Sequence, residues 1–244
     1  MEKMIYTVWK RDGESTDSLA ARLRGEVSSR LLRDGAHELR ISVADSDVAA
    51  ALPLRQEHNP PAPDGLVSLW VDTANRRQPL EQTLAASVGR AAGYLVAESV
   101  PIVNTRHPVP DGQRTPGMLQ VAMFPRPMRL AQEEWLDIWM NGHTQIAIDT
   151  QSTFGYRQNV VVRLLTPGAV PYGAIVEENF PAEAMTSPHA FYDAVGDDAK
   201  LHERLRIMVA SCVRFIDLDT LDVIATSEYT MKSSPYDPRQ AMRP

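Results

Sequence analysis

The sequence predicts an α+β fold in which two βαββαβ halves, carried by one chain, close on each other as a barrel. The order of predicted elements runs strand, helix, strand, strand, helix, strand and then begins again, at a spacing of roughly 115 residues that is far longer than a solenoid unit. The 244 residues suffice for two units. Each half in that order is ferredoxin-like: an antiparallel sheet with helices on one face, whose other face is apolar enough to need cover. The opposite half supplies it.

The first half opens on Met4-Ile5-Tyr6-Thr7-Val8-Trp9, an alternating β-branched and aromatic run that reads as a strand ended by Gly13. Ser15 or Thr16 caps a helix whose apolar residues Leu19, Leu23, Val27 and Leu31 recur every four positions, so one face must be buried, and Asp34-Gly35 closes it. A strand around Leu39 to Val43 follows. Turn formers through Pro60-Pro61-Ala62-Pro63-Asp64-Gly65 then lead to a strand Leu66 to Val71, a helix over Leu80 to Ser87 and a strand Gly93 to Glu98.

A Pro/Gly-rich linker, residues 104–117, separates the halves 1–103 and 118–232, and a polar, proline-punctuated tail covers 233–244. The second half predicts a strand Met118 to Phe124, then a helix carrying Glu133, Glu134, Trp135, Ile138 and Trp139, whose acidic first turn suits the positive end of its dipole. A long strand Phe154 to Leu165, a strand Tyr172 to Glu178, a helix with the stripe Leu201, Leu205, Met208, Cys212 and Phe215, and a strand Val223 to Met231 complete it. On this order Gly65-Leu66-Val67 pairs with Gly173-Ala174-Ile175.

Composition excludes several classes of function. A net charge of -6 and a pI near 5.5 argue against a nucleic-acid partner, which needs clustered Lys and Arg. No apolar run reaches the roughly 18 residues of a membrane span, and Met1-Glu2-Lys3-Met4 leads into a strand without a signal-peptide core, so the expectation is a cytoplasmic protein without a membrane partner. Cys212 is the only cysteine and reads as a buried, inert thiol. The histidines lack ligand spacing, and no Gly-rich phosphate loop or nucleophile elbow is present, so neither a metal nor a nucleotide cofactor is expected.

Trp135-Leu136-Asp137-Ile138-Trp139-Met140-Asn141-Gly142-His143, followed by Tyr156-Arg157-Gln158-Asn159-Val160, resembles the EthD-like signature of an aromatic helix ending in a His and a strand with Tyr, Gln and Asn. Glu177-Glu178-Asn179-Phe180 resembles that family's Glu-containing third strand, and Arg214-Phe215-Ile216-Asp217 its approach to the last strand. The resemblance spans Pro116 to Lys232; the first half shares the element order and the strand Leu69-Trp70-Val71-Asp72. It implies the dimeric α+β barrel superfamily, here with both barrel halves in one chain. Counting back from the second strand of each half sets Glu26 opposite His143, so the first half lacks the imidazole. The wider group holds cyclases, decarboxylases, isomerases, cofactor-free oxygenases and haem enzymes, and the fold does not choose among them.

His143 is the candidate catalytic residue, because an imidazole titrates near neutral pH and moves protons at a carbonyl or phenol without a cofactor; the alternative is a cap on the helix's last carbonyls. Trp139, Tyr156, Asn159, Glu177 and Tyr229 are the candidate substrate-binding residues, converging from different elements on an apolar cleft between sheet and helices that closing the two sheets together leaves. Strand alternation sets Tyr156 and Asn159 on opposite faces unless a bulge intervenes. The expected function is cofactor-independent decarboxylation, cyclisation or oxygenation of a hydrophobic, aromatic or polyketide-like small molecule. A non-catalytic binder using the same pocket, haem binding through an imidazole, and a homodimer of such pseudo-dimeric chains stay open.

Overall fold

A computed structural model of the chain describes residues 1–233, so the expected tail lies, apart from Ser233, outside the described residues. The strands are β1 (Glu2–Trp9), β2 (Glu38–Val43), β3 (Gly65–Val71), β4 (Arg90–Ile102), β5 (Met118–Phe124), β6 (Gly155–Leu164), β7 (Ala174–Phe180) and β8 (Asp222–Lys232). They form a closed barrel in the order β1-β3-β2-β8-β5-β7-β6-β4, antiparallel throughout. Each half contributes a ferredoxin-like sheet, β4-β1-β3-β2 and β8-β5-β7-β6, and the edges join as β2 on β8 and β4 on β6. All edges are thereby paired.

Helices cover each sheet from outside. In the first half α1 (Thr16–Arg22) passes through a π-helical stretch Leu23–Val27 into α2 (Ser28–Arg33), and α3 (Gln78–Ser87) lies beside it. Ser15 caps α1 by accepting from the Ser18 amide. In the second half α4 (Gln132–Leu136) runs through a π-helical stretch Asp137–His143 into α5 (Thr144–Thr150), followed by a short α6 (Pro188–Phe191) and by α7 (Asp198–Cys212). The sequence pattern did not mark the π turns, yet they explain it. Four residues of α-helix overshoot a full turn by about 40°, so a stripe at four-residue spacing drifts off its face. A wider π turn takes up the drift. Leu19, Leu23, Val27 and Leu31 thus stay buried together, as do Trp135, Trp139, His143 and Ala147. The same register sets Val27, rather than the exposed Glu26, opposite His143.

Strand alternation divides the inside of the barrel from the outside. Toward one end the inward side chains are apolar, among them Ile5, Leu66, Tyr94, Leu119, Val121, Met123, Ile175 and Ile224. Toward the other they are charged. The Lys3 ammonium donates to Glu98 of its own half at 2.7 Å and crosses to the second half to donate to Asn159 Oδ1 at 2.8 Å and to Glu177 at 3.2 Å, while Arg157 pairs with Glu177 and Glu228. Burial alone pushes the Glu177 carboxyl up, but Lys3, Arg157 and Arg40 more than offset it and hold it well below the usual carboxylate range. The two inner sheet faces therefore meet on buried side chains and wall no shared hollow; the open space lies between sheet and helices, as the sequence also suggests. Register also sets Leu66 with Ile175, both inward, one residue from the pairing expected, so that Leu69 matches Glu178. No helix among the described residues is long and apolar enough to cross a membrane.

Lys3→Met should leave the buried Glu177 under-compensated and the half-buried Glu98 with Arg40 alone, and lower the unfolding free energy by about 3–5 kcal/mol, read from the urea midpoint at neutral pH. An unchanged midpoint would mean that the two halves do not depend on this contact.

Candidate functional site

The site is a cavity of about 800 Å³ between the sheet and the helices of the second half. Its floor is the outward face of the sheet, with Ala122 and Phe124 on β5, Tyr156 on β6, and Val176 and Glu178 on β7. Trp139 and His143 descend from the π stretch, and Met208 and Cys212 from α7. The first half reaches over to the rim through Ala50, Pro53 and Leu54 of a 3-10 segment, Ser46–Leu54, and through Gln56, which bridges to Val223 of β8. Exposed Leu205, Val209 and Leu218 line the opening.

The aromatic wall is cross-braced. The Trp135 indole donates to the Phe215 carbonyl at 3.1 Å, and Phe124 stands edge-on to Trp139 with centroids 5.8 Å apart. The His143 ring packs on Phe215 at 4.6 Å, its Nδ1 lies 2.9 Å from Ser211 Oγ, and Nε2 has no hydrogen-bond partner among the described residues. Burial holds its pKa down to about 4, so the ring is neutral at neutral pH. Tyr156 accepts from the Gln158 amide at 3.2 Å, and Gln158 also donates to Thr144 at 2.7 Å. Burial, and then the nearby Glu178 charge, push the Tyr156 hydroxyl up.

Glu178 faces Tyr156 across the β6–β7 ladder and is 8 % exposed. Its carboxyl has no hydrogen-bond partner among the described residues, and Oε1 is fully buried. Burial pushes its pKa up to about 7. The Cys212 thiol in the same wall is pushed up to about 12, chiefly by burial, and stays protonated.

The structure brings His143, Trp139 and Tyr156 into one cavity and sends the other expected binding residues elsewhere. Asn159 and Glu177 point into the barrel and serve the Lys3 network, as alternation against Tyr156 requires for Asn159. Tyr229 packs with the first half's core, where its hydroxyl donates to Asp45 at 3.0 Å and Arg24 lies 3.9 Å above its ring. Glu178 and Ser211 were missed. The pair Glu177-Glu178 gave the signal for one of them, but β7 is buried at every residue, so polarity does not reveal which glutamate faces the barrel.

The two tuned groups predict opposite pH dependences. Glu178 titrates higher when folded than when unfolded, so its contribution to stability is present below its ordinary value of 4.5 and is lost as pH rises to about 7. His143 titrates lower when folded, so its contribution is present above 6.5 and is lost as pH falls to about 4. Relative to wild type, Glu178→Gln should gain stability as pH rises from 4.5 to 7, and His143→Val should lose it as pH rises from 4 to 6.5. Each slope should approach about 1.4 kcal/mol per pH unit, and urea titrations across that range read it. Parallel curves for wild type and both variants would show that neither group is buried as described.

No protein-family model matches this sequence, and no curated protein sequence matches it. Among solved structures it is similar to an anthrone oxidase-like protein, with a TM-score of 0.56 and 8% identity over 94% of this chain and 91% of that one. It is also similar to a mutant chlorite dismutase from Candidatus Nitrospira defluvii in complex with cyanide, with a TM-score of 0.50 and 11% identity over 98% of this chain and 92% of that one. Identities this low speak for architecture alone, and with the strand order they make the chain an α+β barrel of the ferredoxin-like, dimeric type.

Proposed function

We propose that the chain is a cofactor-independent enzyme that moves a proton on a hydrophobic, aromatic or polyketide-like small molecule, with His143 as general acid/base, and that it belongs with the EthD-like proteins its second half resembles. One observation carries the reading. The first half has Val27 and Leu69 where the second has His143 and Glu178, and there both side chains are buried in one hydrophobic cluster between sheet and helices. The fold therefore does not need either polar group, and burying each without full compensation is unfavourable. With Nδ1 accepting from Ser211, the neutral ring keeps Nε2–H for a ligand oxygen. Trp139 and Tyr156 wall the ligand.

The cavity wall offers a haem little beyond the His143 ring. None of the described residues that line the cavity is Lys or Arg, so its propionates would meet no cation, and Glu178 would stand unpaired beside them.

Anthrone, an uncharged three-ring carbon acid, is the first compound to assay, with oxygen uptake and anthraquinone as readouts. One anthrone and one dioxygen would give one anthraquinone and one water. His143→Ala should lower kcat/KM by about 10²–10⁴-fold, the usual worth of a positioned acid/base, while the circular dichroism spectrum is kept. Turnover equal to wild type would remove His143 from the mechanism. Native mass spectrometry of the protein as isolated identifies any tightly held small molecule; such a molecule, unaltered by protein that turns over none of the aromatic compounds offered, would make the chain a binder instead.

A further inference from the structure

We infer that Glu178 is the proton acceptor of the cavity that His143 also lines, and that the site admits uncharged proton donors of the phenol or carbon-acid class while refusing anions. The inference rests on the cavity's being a ligand site, as proposed above, but not on turnover.

The walls decide the charge of the ligand. Their described residues include no Lys or Arg, His143 is the only imidazole and is held neutral, and Glu178 is the only carboxylate. A carboxylate or phosphate entering here would lose its water, meet no counter-ion and face Glu178, which is unfavourable by several kcal/mol. An uncharged hydroxyl meets the opposite situation. The carboxylate has no partner among the described residues, and a hydrogen bond to an ionised acceptor in a dry site is roughly twice as strong as one between neutral groups. The pKa of about 7 leaves a usable fraction of Glu178 ionised at neutral pH.

The cations nearest the floor strands' inward face are kept from the cavity by the sheet itself. Lys3 and Arg157 point into the barrel on the other face of the sheet, where they neutralise Glu98, Glu177 and Glu228. Glu177 and Glu178 are adjacent in sequence yet belong to two separate electrostatic environments.

In the proton step, the donor's O–H or C–H bond breaks, its proton forms the O–H bond of the Glu178 carboxylic acid, and the electron pair stays on the ligand as an enolate or phenolate. The Nε2–H of His143 is the donor available to that oxygen. The negative charge moves from protein to ligand and no net charge is created.

The test is equilibrium binding of 2-naphthol, 2-naphthoate and 2-naphthylmethylammonium to the intact protein, by calorimetry at pH 5.5 and pH 8. At pH 8 naphthol should bind at least tenfold more tightly than naphthoate, and its affinity should rise several-fold from pH 5.5 to pH 8 as Glu178 ionises. Glu178→Gln should flatten that rise, and Glu178→Leu, which installs the first half's residue, should also weaken naphthol at pH 8. Naphthoate binding as well as naphthol, ammonium binding better than naphthol, no probe binding, or a pH dependence that survives both substitutions would each overturn the inference. If naphthol is selected but none of the aromatic compounds offered is consumed, the enzymatic reading fails and this inference stands; consumption without the selection gives the reverse.

Discussion

The Lys3 ammonium, bonded to Glu98 on the neighbouring strand and reaching to Asn159 and Glu177 of the other half, is the contact on which the rest of the structure depends. A buried ion without partners is destabilising by several kcal/mol, so neither half's inner sheet face is satisfactory alone. Lys3, Arg40 and Arg157 from β1, β2 and β6 meet Glu98, Glu177 and Glu228 from β4, β7 and β8, three charges of each sign contributed by both halves. The network also holds the strands in register. A slip of one residue in β7 would exchange Glu177 for Glu178, setting the wrong carboxylate against Lys3 and emptying the cavity of its acceptor.

Both halves use one frame and fill it differently. In the first, Leu19, Leu23, Val27 and Leu31 press on Val67 and Leu69, and the space is closed. In the second, Trp135 and Trp139 stand where Leu19 and Leu23 do, and Ala147 and Glu178 where Leu31 and Leu69 do. An open cavity forfeits packing, and polar groups inside it forfeit solvation. A barrel made of two copies of one chain would incur both penalties twice. Joining the halves covalently lets one remain solid, and lets its Ser46–Leu54 segment serve as a rim for the other.

Much of this was legible in the residues. Alternation and turn chemistry located the strands, because edges and turns depend on local sequence. The opposite facing of Tyr156 and Asn159 followed from strand geometry alone. The π turns were not legible, since a four-residue stripe reads as a slightly irregular α-helix until burial shows that the face does not drift. Tyr229 was misplaced for a different reason. Its strand belongs to the second half by sequence but pairs with β2, so its outward side chain falls under the first half's helix. Closure of the barrel moves residues between environments, and no local pattern records it.

Burial explains the titration of both cavity groups. Desolvation disfavours charge of either sign, so it raises the Glu178 carboxyl to about 7 and lowers the His143 imidazole to about 4. A single Lys or Arg in the wall would undo this, pairing with Glu178 and pulling it down as Lys3 pulls Glu177 down on the far side of the sheet. Such a glutamate would be a poor base, and its cation would attract anions. The lack of cationic side chains among the described wall residues and the basicity of Glu178 are thus one electrostatic property, and they fit a ligand that arrives neutral and gives up a proton inside.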